Sequence, residues 1–341
     1  MLIAGALLTA LAISAQAAPA GSYRISLKTT FHVTVPPDAK KNGWCYDAAV
    51  VSPRTHVFYL ADTASKRITV IHPASGAVGG IGTGQFTGIG KCHQGNFDGE
   101  GPNGLVITRG AIYAGNGNSH VLGYSLRTGR LIANYNTGGK LQADELTMAG
   151  RYLVVTNSAE THPFISFIDL HAKRIAARYT FTRATGGLGG LEWWHGHLYV
   201  SVSATKNSPN GGEVDELDIA SVRNVRIVHR FTFATCQAAG LAITASGLAA
   251  VGCGGPSQVI LNVRTGHQTP VSFLGADLVA ASGSDFFFIS YITNKLIVAS
   301  PAGKILQTFT TAGASHTVAV DPSNGDVWVP EDKGDVNLYA P

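Results

Sequence analysis

No CxxC pair occurs anywhere in the chain, so zinc-ribbon, thioredoxin-type and haem-attachment readings have no support among its four cysteines. GxSxG, HExxH and EF-hand loops are missing as well, which removes the commonest serine-hydrolase, zinc-protease and calcium-loop signatures. Charge is scarce: only 13% of the 341 residues are Asp, Glu, Lys or Arg, and 25 basic against 21 acidic side chains leave a formal net charge of +4. A surplus this small, without a Lys/Arg cluster, argues against nucleic acid or an anionic membrane as partner. Long helical periodicity is also lacking, so Rossmann and helical-solenoid readings fail. The Gly-rich runs do not open helices, which excludes phosphate-cradling and dinucleotide loops.

The chain is rich in other things: 45% of it is hydrophobic and 41 residues are glycine. Residues 1–17 read as a signal peptide. An apolar core from Leu2 to Ile13 precedes the small-x-small site Ala15-Gln16-Ala17, and the mature chain then starts at Ala18. The apolar run is too short to span a bilayer comfortably and no other segment approaches its length. The expectation is a periplasmic or secreted monomer. Cys45, Cys92, Cys236 and Cys253 suit that compartment as disulfides. Three pairings are open, and locality favours Cys45–Cys92 with Cys236–Cys253.

One unit repeats along residues 18–341. Its first strand reads YDAAVV (46–51), NGLVI (103–107), DELTM (144–148), GLEWW (190–194), GLAIT (240–244), ADLVA (276–280) and HTVAV (316–320). Its third strand recurs equally often, from KRITVIHPASGAV (66–78) and SHVLGYSLRTGRLI (119–132) to DVNLYAP (335–341). The spacing of the first strands runs between about 37 and 56 residues, the range of four-stranded propeller blades. The last unit stops at its third strand, while YRISLKTTFHVTV (23–35) alternates apolar residues ahead of the first unit. The prediction is therefore a single-domain, all-β, seven-bladed β-propeller, closed by its N-terminal strand joining the last blade. Closure removes the sheet edge that an open array would expose.

The segments GPNGLVI, GNGNSHVLGYSLRTGRLI and SHTVAVDPSNGDVWVPED resemble the YVTN-repeat, YncE-like family of exported bacterial β-propellers. The likeness covers essentially the whole mature chain and implies the propeller fold. It implies no particular activity, because propellers host unrelated functions.

First strands line the central channel of a propeller. Residues at their starts then gather at one mouth: Asp47, Asn103, Asp144 with Glu145, Glu192, Asp277 and His316. Carboxylates converging with one imidazole suit a single divalent metal, Ca²⁺ or Mg²⁺ through oxygen, Mn²⁺ or Zn²⁺ if His316 ligates. The architecture is then similar to that of the senescence-marker/gluconolactonase propellers, without a residue-by-residue match. Small polar residues also line any hydrated channel. The longest inter-blade connection, residues 79–104, carries Cys92, His93, Gln94, Asn96 and Asp98, and reads either as a rim loop over the mouth or as a stapled surface loop. His195-Gly196-His197 falls in a turn away from that mouth, and Trp193 with Trp194 suits packing between blades. Two functions follow. The first is an envelope binding or scaffold protein that engages a small molecule or a protein at the mouth. The alternative is a metal-dependent hydrolase, lactonase or lyase.

Overall fold

Phe58–Asp62 is buried at every residue, which requires cover on both faces of the strand. The computed structural model, which describes residues 24–88, 97–313 and 315–341, shows where that cover comes from. Seven four-stranded antiparallel sheets stand in a ring as a seven-bladed β-propeller. Blade 1 comprises Ala49–Val51, Phe58–Asp62, Arg67–His72 and Ala77–Ile81, from the channel outward. Blades 2 to 6 repeat the order, with first strands Leu105–Ile107, Leu146–Ala149, Leu188–Trp194, Ala238–Ile243 and Ala276–Ser282.

Blade 7 has three strands of its own, Ala319–Val320, Val327–Pro330 and Asp335–Ala340. Its outermost strand is Ser26–His32, paired antiparallel with Asp335–Ala340 from Ser26↔Ala340 to His32↔Asp335. The N-terminal strand thus closes the ring, as the repeat count predicts. Residues 1–17 and the Cys92 end of the proposed Cys45–Cys92 bridge lie outside the described residues. Among the described residues no helix is long and apolar enough to cross a membrane.

Period-two alternation feeds two cores from one strand. Phe58 and Leu60 point to blade 7, in a cluster with Phe31, Trp328, Val336 and Leu338. Tyr59 and Ala61, one residue on, point to blade 2 with Leu105, Ile112, Ala114 and Leu122. The same division holds at blade 6, where Phe286 and Phe288 face blade 5 while Phe287 and Ile289 face blade 7. Trp193 packs towards blade 3 and Trp194 towards blade 5, as expected of residues on alternate faces. The core is therefore a ring of interfaces between blades. Outer strands such as Leu131–Asn136 turn one side to solvent and lose this double pattern.

The seam between the two ends of the chain is the most aromatic of these interfaces. Trp328 is 1% exposed and lies between Phe58, at 4.9 Å with planes 13° apart, and Phe31, at 5.3 Å and 18°. Three rings from the N-terminal strand, blade 7 and blade 1 form one stack. Ile25 adds a two-way clamp to blade 6, its N–H donating to Gln307 Oε1 and its carbonyl accepting from Gln307 Nε2. Cys236 and Cys253 form a disulfide that ties the lead-in of blade 5 to the end of its second strand.

Two outcomes test this packing. Trp328→Ala removes the middle ring of the stack and lowers stability by about 3–5 kcal/mol in urea titrations. Replacing Cys236 and Cys253 together with Ala opens the bridged loop and costs about 2–4 kcal/mol in the same assay.

Candidate functional site at the channel mouth

The inner strands present their starts by a shared hydrogen-bond pattern. Asp47 N–H donates to the Ala61 carbonyl, Asn103 N–H to Gly115, and Asp144 N–H to Thr156. In each case the second strand answers with an N–H to the carbonyl of the following residue, at Ala48, Gly104 and Glu145. Asp47, Asn103 and Asp144 therefore occupy one repeat position in blades 1, 2 and 3 and project from three sides towards one axis. Blade 6 supplies Asp277 through a bulge between Ala276 and Val279, and Leu278 N–H donates to the carbonyl of His316 from blade 7. Such a bulge leaves an extra residue unpaired and re-aims its side chain. Close approach of blade 5 to this bulge needs glycine: a Cβ at Gly240 or Gly252 would lie 2.2 Å or 2.1 Å from the Asp277 carbonyl oxygen.

These residues surround a cavity of about 520 Å³. Its acidic wall is Asp47, Asp144, Glu145, Asp277 and Glu100, its aromatic groups are Trp44, Tyr46, Tyr291 and His316, and small residues such as Gly187, Gly189, Ala238, Ala239 and Gly240 complete it. Among the described residues neither lysine nor arginine lines it. Carboxylate oxygens of Asp47, Asp144 and Glu145 lie within 4.8 Å of one another. His316 Nε2 is 4.0 Å from Asp47 Oδ1, and the His316 ring stacks on Tyr46 at 5.1 Å with planes 6° apart. Tyr46 is itself anchored by its hydroxyl, which donates to the Pro330 carbonyl at 2.8 Å. Ser158 Oγ donates to Asp144 Oδ2 at 2.6 Å and orients that carboxylate.

Confinement and like charge push the acids the same way. Burial, then Asp144 and Asp277, hold the Asp47 carboxyl well above its usual range. Burial and then Asp144, Asp47, Asp277 and Glu192 do the same to Glu145. Asp144 is raised to about 6, chiefly by burial, against the opposing bond from Ser158. Asp277 is raised by burial and partly relieved by His316. A cation at the centre of the group removes this mutual repulsion.

The remaining sequence candidates fall elsewhere. Glu192 faces the channel but does not line the cavity; it is the fifth residue of its strand, whereas Asp277 is the second of its own. Three residues of strand place it about 10 Å deeper, where burial raises its carboxyl to about 8. Asn103 does line the cavity, but its amide donates to the Glu100 carbonyl, Gln142 Oε1 and the Ala143 carbonyl, so it braces the wall. Asp98 borders an adjoining groove with Gln142, Ser158 and Glu160. His93, Gln94 and Asn96 lie outside the described residues. His195 and His197 flank the turn between the first two strands of blade 4, at the opposite end. Sequence reasoning missed Tyr46, Glu100, Ser158 and Tyr291. Tyr46 carried a signal as the neighbour of Asp47, and Glu100 one as part of the long 79–104 connection.

A serine, histidine and aspartate also meet at that opposite end, across the seam. His56 Nδ1 lies 2.7 Å from Asp321 Oδ2 and 3.3 Å from Ser323 Oγ. A catalytic relay uses the two ring nitrogens for different partners, so this group is a tie between blades 1 and 7. No protein-family model matches the chain, and no curated protein matches it.

The raised carboxyls give stability a pH dependence of definite sign. From about pH 4 upwards the unfolded chain releases protons that the folded carboxyls still hold, so the contribution is full in acid and is lost as pH rises through about 6 for Asp144 and about 8 for Glu192. In EDTA the melting temperature therefore falls between about pH 5 and pH 8, and Glu145→Gln flattens part of that slope.

Proposed function

We propose that this chain is a ligand-binding β-propeller of the cell envelope, whose channel mouth selects positively charged ligands. The observation that carries this reading is the contrast between the chain and its cavity. The protein as a whole has a formal net charge of +4, yet five carboxylates and no described lysine or arginine line the mouth. A one-sign lining in a low-dielectric recess concentrates its counter-ion and rejects anions. The volume suits a small molecule, since ligand pockets commonly run from about 300 to 1,000 Å³. Export rests on the signal-like residues 1–17 and fits the disulfide between Cys236 and Cys253. The YVTN-repeat, YncE-like resemblance agrees with the blade count and adds nothing on the ligand.

A second reading, a metal-dependent hydrolase, lactonase or lyase, has its own support. The oxygens of Asp47, Asp144 and Glu145 lie within 4.8 Å of one another, and opposite ligands of a bound Ca²⁺ stand about 5 Å apart. A divalent ion there supplies a polarised carbonyl or an acidified water. His316, 4.0 Å from Asp47, would be the base this chain offers beside those ligands.

Metal analysis of protein prepared without chelator or nickel, with melting curves in EDTA, separates the two. About one ion per chain, a lower melting temperature on chelation, and loss of the ion in Glu145→Gln favour the hydrolase and direct lactone and ester assays to it. No ion and no EDTA effect remove the metal and leave organic cations as the ligand class.

A further inference from the structure

The cavity has an apolar extension that its acidic wall does not explain. Tyr291 lines the cavity and is also 37% exposed, beside Ile292 at 56% and Leu274 at 47%. These are among the most exposed large hydrophobic side chains of the protein. Tyr291 and Ile292 form one surface, and the backbone of Leu274 runs beside it. Gly275 adopts φ +56°, and a Cβ there would strike Ile292 Cγ1 at 2.5 Å and the Tyr291 ring at 3.0 Å. Both side chains therefore lie over the Gly275 backbone, while Ser290 Oγ donates to the Leu274 carbonyl at 2.6 Å and holds that residue alongside. The turn after Ser290 leaves the second strand of blade 6 on the mouth side, next to the bulge that presents Asp277.

Resting on the reading of the mouth as a site for positive ligands, we propose that the ligand is an amphiphilic amine. Its ammonium head enters among Asp47, Asp144, Glu145 and Asp277, and its aliphatic arm leaves over Tyr291 to lie on Leu274 and Ile292. Charge complementarity sets the head: an ammonium group offers several donors and one positive charge to carboxylates that repel one another. The Tyr291 ring, part of the same wall, adds to its attraction. Size sets the rest. A single metal ion fills a small part of about 520 Å³ and leaves the shelf uncovered. An arm of about four to eight carbons covers apolar surface that otherwise faces water, and each buried methylene tightens binding roughly threefold to fourfold.

The test is calorimetric titration of the full mature chain, in EDTA, with butyl-, hexyl- and octylammonium and with the matching alkanoates. The expected result is tightening of roughly threefold to fourfold per methylene across the ammonium series and no binding of alkanoates. Leu274→Ser with Ile292→Ser flattens the series, octylammonium losing most affinity and butylammonium least. Glu145→Gln weakens every ammonium ligand by a similar factor and keeps the chain-length slope. A flat series in the wild-type protein, or equal binding of alkanoates, overturns the proposal. In a separate titration without EDTA, stoichiometric Ca²⁺ binding with no ammonium binding in the first overturns it too, and leaves the mouth a site for positive ligands. Failure of both Ca²⁺ and ammonium overturns that wider reading as well. Co-sedimentation with phosphatidylcholine vesicles, lost in the Ser variant and without a chain-length series, overturns it in favour of a bilayer as the occupant of the shelf.

Discussion

Ring closure at the stack of Phe31, Trp328 and Phe58 is the constraint on which the site depends. A propeller blade alone buries little, because its two faces need neighbours on both sides. The N-terminal strand joins blade 7 through an antiparallel ladder with one irregularity between Leu27 and Thr29, and the aromatic stack then seals blade 7 to blade 1. Asp47 enters the channel from blade 1 and His316 from blade 7, so their 4.0 Å separation exists only because the seam is shut. Residues from the first and last blades form one wall of the cavity for that reason.

The seam also explains how acids can be gathered at all. Burial pushes Asp47, Asp144, Glu145 and Asp277 all upwards, and repulsion between neighbouring carboxylates adds to the shift of Asp47, Asp144 and Glu145. Interfaces between blades, each packed with Leu, Ile, Val and aromatic side chains, supply the stability that offsets this. The apolar ring and the acidic mouth are therefore two sides of one arrangement: a rigid scaffold holds a polar constellation that would otherwise disperse. A site strained by its own charge has most to gain from a positive ligand.

Charge alone does not describe the mouth. Its acidic side comes from blades 1, 3 and 6, whereas small residues of blades 4 and 5 make the opposite side apolar, and the Tyr291 ring of blade 6 stands where the two meet. That division continues outward into the exposed shelf of Leu274 and Ile292. A ligand with two unlike ends satisfies both sides, whereas an ion alone satisfies one.

Blade number, blade order and closure by the N-terminal strand were legible in the sequence, because period-two alternation and repeat length are local properties of the chain. So were Asp47, Asp144, Glu145, Asp277 and His316, since each opens or lies near the start of an inner strand. Register was less legible. Glu192 looked equivalent to the others, but its strand begins earlier, at Leu188, which sinks the side chain below the mouth. Tyr291 and Ser158 come from turns and connections between second and third strands, and nothing in their local sequence marks them; Glu100 lies in the long connection after blade 1, whose length marks the segment but not the residue. Their place at the cavity was decided by how the blades pack around the axis, because a distance between blades depends on ring closure and interface packing. By itself the sequence determined what each strand buries and where it turns. Only the tertiary structure decided which strand starts meet, how closely like charges approach and where the apolar shelf joins them.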